Sequence, residues 1–174
     1  MSRRLMLLRH AKSSWDNPVL DDIDRPLAPR GLRDAPLMGR FMRREGLIPD
    51  RVLCSPALRA RQTWELAQQA LGAQPPLEVV EMLYAFGDGR PLLQAARRFG
   101  GEARTLLLVG HNEAMHELAV ALAQSGEDAT LQRLRKKFPT AALAVIDLPI
   151  AGWEELSGFV AGRLVRYVRP KDLR

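Results

Sequence analysis

Short apolar runs separated by helix-patterned segments recur along this chain, and that alternation restricts its fold more than any other feature. Residues 4–8 (RLMLL), 51–54 (RVLC), 77–83 (LEVVEML), 105–110 (TLLLVG), 141–148 (AALAVIDL) and 162–168 (GRLVRYV) each have the length and character of a strand. Between them lie helical stretches. One runs from about Gly31 to Glu45, with Leu32, Met38, Phe41 and Met42 roughly on one face, and others cover 91–99 and 112–124. Another opens at Ser55, read as the N-cap, with Pro56 as the first helical residue, and stops at Gly72. Pro36 conflicts with an unbroken first helix, so it is expected in an early turn or at a kink. Strands alternating with helices predict an α/β fold, a three-layer α/β/α sandwich around a mostly parallel sheet, with the last two strands as neighbours. With 174 residues and no repeat or linker, the expected organisation is one domain, 1–174.

Composition narrows the classes. A hydrophobic fraction of 47% and a charged fraction of 26% are those of an ordinary globular protein. The single cysteine, Cys54, cannot form an internal disulfide, which suits a reducing compartment, and it reads as a small buried residue. No apolar run approaches the roughly 20 residues of a membrane-spanning helix. The opening MSRRLMLLRHAK is too short for a signal peptide and lacks a small-residue cleavage site, so the expected location is the cytoplasm, with no membrane partner. A net charge of +6 and a pI near 10.2 favour anionic ligands. The charges are dispersed, RLRKK at 133–137 being the one dense cluster, and aromatic residues do not interleave with it, so nucleic acid is not the expected partner.

Two of the apolar runs end in a histidine: LMLL leads into Arg9-His10, and TLLLVG into His111. In open α/β sheets, ligands bind beyond the carboxyl ends of the strands. The helix after the second strand supplies Arg59 near its N-terminus, where free N–H groups already favour anions and a forked guanidinium matches phosphate oxygens. Two histidines and two arginines at three strand ends, with no carboxylate expected in the set, call for an anionic ligand. A phosphoryl group fits, since its transfer depends on positioning and charge stabilisation, and a neutral imidazole can act as the nucleophile.

These residues carry a resemblance to the histidine phosphatase superfamily. LLRHAKSSW is similar to its Arg-His signature, SPALRARQT (Ser55 to Thr63) to its second arginine motif, and VGHNEAMHELA to its second-histidine motif. The Asp24-Arg25-Pro26-Leu27 stretch, KFPTAALAVIDL and the final VRPKDL resemble the short branch that includes SixA-type phosphohistidine phosphatases. The resemblance implies a phosphoglycerate mutase-like fold, His10 as the phosphorylated nucleophile, and Arg9, Arg59 and His111 as ligands of the transferred group. Lys12 and Asn112 are further candidate phosphate or substrate contacts. It implies no metal or organic cofactor, and the Glu113/His116 pair is read as surface or supporting residues.

The general acid is open at this level. Glu81, at the end of LEVVE, is the better placed candidate, and Asp88 in the FGDG loop is the other. Without a committed acid, the favoured substrate is phosphohistidine on a protein, because imidazole leaves more easily than an alkoxide. The short chain leaves little room for a lid, so a shallow site is expected. The alternatives are a phosphatase for a small phosphorylated metabolite and a non-catalytic phosphate- or nucleic-acid-binding module.

Overall fold

The computed structural model describes residues 1–174. Seven strands form one sheet: β1 (Arg3–Arg9), β2 (Arg51–Cys54), β3 (Leu77–Val79), β4 (Thr105–Gly110), β5 (Ala123–Ser125), β6 (Leu143–Leu148) and β7 (Gly162–Val168). Their spatial order is β3-β2-β4-β1-β6-β7-β5. The pairs on the β3 side of β1 are parallel, as is β5 with β7, whereas β6 runs antiparallel to both β1 and β7. The five helices are α1 (Pro29–Arg44), α2 (Leu58–Leu71), α3 (Arg90–Phe99), α4 (Ala114–Leu122) and α5 (Asp128–Lys136).

The central strands are apolar at successive positions because both of their faces are covered. In β1, Met6 and Leu8 join the core beneath α1 and α2, while Leu5 and Leu7 join the core beneath α3, α4 and α5. β4 divides the same way, Leu107 and Val109 to one side and Leu106 and Leu108 to the other. The result is the expected three-layer, mostly parallel α/β arrangement. No helix is long and apolar enough to cross a membrane.

Four local expectations differ from the structure. Helix α1 begins at Pro29 and carries Pro36 in its interior, and Leu32 is 50% exposed, its place on the inner face being taken by Ala35. Burial of Ala35, Met38, Phe41 and Met42 outweighs the missing proline N–H. Helix α2 is capped at Ala57 rather than Ser55, whose hydroxyl accepts from the Ala57 N–H (3.2 Å) ahead of the helix and also meets His111. The 77–83 run is a strand only over Leu77–Val79, on the sheet edge, and then turns as a 3-10 helix over Glu81–Leu83 that drops Leu83 into the core. The fourth helix stops at Leu122, and the next residues form β5, followed by α5, whose Leu131 and Leu134 are buried beneath the basic cluster.

Helices α1 and α2 pack closely at Gly39, where an added Cβ would lie 2.1 Å from the Ala67 carbonyl oxygen and 2.9 Å from its Cα. Backbone cannot yield as a flexible side chain does. Gly39→Ala is therefore expected to cost about 1–3 kcal/mol of unfolding free energy, the usual penalty of overpacking. Gly158→Ala, with no atom within 4 Å of its added Cβ, is the control expected to stay near wild type. Urea unfolding of the two variants checks both.

Candidate active site

Strand register gathers the site. Arg9 pairs with Gly110 and Cys54 with Val109, so His10, Ser55 and His111 emerge side by side from three adjacent parallel strands. The His10 and His111 ring centroids are 5.1 Å apart. A cavity of about 300 Å³ opens there, its walls including Arg9, His10, Lys12, Arg59, His111 and Asn112.

The histidine protons follow from their partners. His10 Nδ1 lies 2.7 Å from the Ala11 carbonyl oxygen, which can only accept, so Nδ1 carries the hydrogen and Nε2 keeps its lone pair. His111 Nε2 meets Ser55 Oγ at 2.8 Å, and its Nδ1 is 3.5 Å from Arg59 Nη2, a donor. Nδ1 is therefore the accepting nitrogen and Nε2–H donates to Ser55. Burial pushes both imidazoles down to about 3. The Ala11 carbonyl opposes this at His10 while Arg59, Arg9 and Arg25 add to it, and at His111 the neighbouring His10 and Arg59 add to it. Both rings are neutral at physiological pH.

Arg59 sits in the first turn of α2 and is only 1% exposed. Its Nη1 donates to the Asp22 carbonyl oxygen (2.6 Å) and its Nη2 to Asp22 Oδ2 (2.9 Å). Arg9 Nη1 and Asn112 Nδ2 both donate to the Phe138 carbonyl oxygen, at 3.0 and 2.8 Å. Nε of Arg9 and of Arg59 meets no protein acceptor. Four cationic side chains, Arg9, Lys12, Arg25 and Arg59, face the cavity against one carboxylate, Asp22, an excess suited to a phosphoryl dianion.

The rest of the second arginine motif braces this arrangement. Thr63 Oγ1 donates to the Arg59 carbonyl oxygen and accepts from the Ala11 N–H, tying α2 to the loop after β1. Gln62 Oε1 accepts from the Leu27 N–H, holding the far end of the same loop.

A family model for the histidine phosphatase superfamily (branch 1) matches residues 5–87. An uncharacterised protein of Mycobacterium tuberculosis is 43% identical over 152 residues, which cover 86% of this chain and 91% of that protein. The chain belongs to the histidine phosphatase superfamily. The phosphohistidine phosphatase SixA of Escherichia coli is 28% identical over 152 residues, 86% of this chain and 88% of that one. A solved structure of the protein histidine phosphatase SixA complexed with tungstate matches with a TM-score of 0.77 at 25% identity, covering 98% of this chain and 99% of the other. These relatives support phosphatase activity.

In this histidine phosphatase the candidate acids are separated from the pocket. Glu81 is exposed in the 3-10 turn after β3 and is not among the cavity walls. Asp88 is held by Arg90 at 2.9 Å, also outside the cavity. The carboxylate that does reach the site is Asp22, which the sequence reading did not include. Partial desolvation opposes its charge, but bonds from Tyr84 Oη (2.6 Å), Arg59 and Arg25 together hold it down at about 2. The expectation of a core without a carboxylate is corrected accordingly. Trp15, Arg25 and Phe86 also line the cavity. Most of these come from the segment between Ser13 and Leu27, which pair with each other at its base, so a loop does wall the site despite the short chain. His116 donates from Nε2 to the Leu134 carbonyl oxygen, and no group of three or more His, Cys, Asp or Glu side chains is gathered for a metal ion. Cys54 is fully buried and its thiol is pushed up to about 12 by that burial.

Proposed function

We propose that this histidine phosphatase removes phosphoryl groups from phosphohistidine on a protein, through a covalent phosphohistidine at His10. The observation that carries the reading is the pairing of a free His10 Nε2 with a cavity whose one carboxylate, Asp22, is ionised down to about pH 2. Arg9 and Arg59 hold the phosphoryl oxygens. A bound dianion raises the His111 pKa, so that ring protonates and both nitrogens donate, Nε2–H to Ser55 and Nδ1–H to the phosphoryl group. His10 Nε2 attacks phosphorus as the substrate P–N bond breaks. The departing imidazole has a second nitrogen that can carry a proton, so it leaves as a neutral ring without a positioned acid. Water then attacks phosphorus of phospho-His10, its P–N bond breaks, and inorganic phosphate departs. An alkyl ester must instead expel an alkoxide, for which no protonated carboxyl faces the cavity. The tungstate bound by a SixA relative, an oxyanion, accords with an anion-binding cavity. The single buried Cys54 accords with action in the cytoplasm.

Rapid quenching with a labelled phosphohistidine protein, followed by peptide mapping, tests the proposal. Label on His10 is expected, with phosphohistidine cleaved far faster than glycerol phosphate and with Glu81→Gln indifferent on both. Efficient ester hydrolysis that collapses in Glu81→Gln would instead make this a small-metabolite phosphatase.

A further inference from the structure

Two aromatic side chains stand at the cavity without a part in phosphoryl transfer. Trp15 is 70% exposed, although it belongs to the Arg-His signature segment. One face of its indole is covered by the Arg25 guanidinium, 3.5 Å from the ring centroid, and the remainder is open. Arg25 is itself fixed, by Ser13 Oγ (2.9 Å) and Asp22 Oδ1 (3.1 Å), so the indole rests on a rigid support. Phe86 is 44% exposed, and its ring packs on His111 (4.7 Å between centroids) and on Tyr84 (4.9 Å). Its carbonyl oxygen accepts from the Glu113 N–H at 2.7 Å, which fixes the loop that carries it. Large apolar rings left open to water at a catalytic cavity are a binding feature rather than a folding one.

We propose that Trp15 and Phe86 form the subsite for the leaving group and select a flat, aromatic one, the imidazole ring of phosphohistidine. The inference rests on the phosphatase reading above and adds to it the residues that choose the substrate. With the phosphoryl group held between His10 and the arginines, the group bonded to it projects toward the rest of the cavity, where these two rings lie. The polar groups beside them are mostly occupied. Ser13 accepts from Arg25, Asn112 donates to the Phe138 carbonyl, and Thr140 accepts from Arg30. Lys12 and the Asn112 Oδ1 alone have no protein partner among these, and that Oδ1 is closed off from solvent, which leaves too little to recognise a polyol or sugar. Stacking on fixed rings suits a planar leaving group and is indifferent to the phosphoryl end.

Two P–N substrates isolate this subsite, because neither needs a positioned acid: N-phosphoimidazole has a ring to stack and phosphoramidate has none. Trp15→Ala and Phe86→Ala are expected to lower kcat/KM for N-phosphoimidazole about 10-fold each, through KM, as lost stacking would. The loss on phosphoramidate should be several-fold smaller, the ratio between the two substrates being the readout because the Phe86 ring also packs on His111, with Trp15→Phe restoring most of the ring preference. Equal losses on both substrates, or none on the ring substrate, would overturn the subsite. A second measurement needs no turnover. In a His10→Ala protein, N-phosphoimidazole should quench the fluorescence of the exposed Trp15, the other two tryptophans being buried, and inorganic phosphate should not. Quenching combined with a wild type that cleaves neither P–N substrate would retire the phosphatase reading and leave ring binding standing. Turnover without ring dependence or quenching would retire the subsite alone.

Discussion

His10→Ala is expected to lower turnover by at least about 10⁴-fold while leaving the fold intact, the scale of loss seen when a covalent nucleophile is removed. His10 offers the site's one imidazole nitrogen with a free lone pair in a fixed direction, since its Nδ1–H is committed to the Ala11 carbonyl. His111 cannot take over, because its Nε2 is held by Ser55 and its Nδ1 faces Arg59. The ring is buried but lies beyond the end of β1 on the wall of the cavity, so its loss enlarges that cavity rather than opening a void inside either apolar core. Circular dichroism and vanadate binding should therefore resemble wild type while labelled phosphoenzyme disappears. The pH profile carries a second signature. The folded-state pKa of His10 is lowered to about 3, so the nucleophile stays neutral as pH falls from 7 to 5, and any acid limb in that window belongs to the substrate phosphoryl group. Near-normal turnover by a folded His10→Ala protein would end the covalent mechanism.

Arg59→Ala should lose roughly 10²–10³-fold in kcat, the usual cost of removing one donor aimed at developing charge, together with most of its vanadate affinity. Arg59 is fully buried beside both histidines, and a shorter or differently shaped cation cannot reproduce its fork, so Arg59→Lys should recover only part of the loss. Arg61 is the internal control. It lies about 200° around the helix from Arg59, is exposed, and its Nε donates to the Pro56 carbonyl oxygen. Arg61→Ala is expected to stay within about twofold of wild type. Steady-state kinetics and vanadate titration of the three variants test this, and equal damage from Arg61→Ala would contradict the register of α2.

What the sequence disclosed and what it concealed divide along a physical line. The central strands were legible because burial on both faces makes them apolar at every position. The histidines were legible because they interrupt such runs at the carboxyl edge. Arg59 was legible from its helix, even though the cap lies at Ala57 and not at Ser55. The Ser55 hydroxyl does accept a backbone N–H two residues on, as the sequence suggests, but that residue is Ala57, itself the cap, and the same oxygen also meets His111, 56 positions away. Asp22 was hidden for a related reason. Its loop has no periodicity, and nothing local tells that Asp22, rather than Asp21 or Asp24, reaches Arg59 37 residues later. Glu81 misled because an apolar run suggested a strand ending at the site, whereas the edge strand stops at Val79 and the carboxylate turns outward.

The antiparallel insertion of β6 beside β1 has a consequence for how the protein comes into being. The first strand to leave the ribosome is the centre of the finished sheet, yet one of its edges waits for a partner about 143 residues downstream, the separation bridged by the Arg4–Asp147 pair. Such high contact order makes assembly late and slow, with nascent chains exposed meanwhile to misassociation. The carbonyl that orients Arg9 and Asn112 comes from Phe138, just before β6, so a nascent chain carries both histidines and Arg59 well before they are held in working geometry. The geometry that holds Arg9 and Asn112 is thus completed only once the segment carrying Phe138 and β6 has been made.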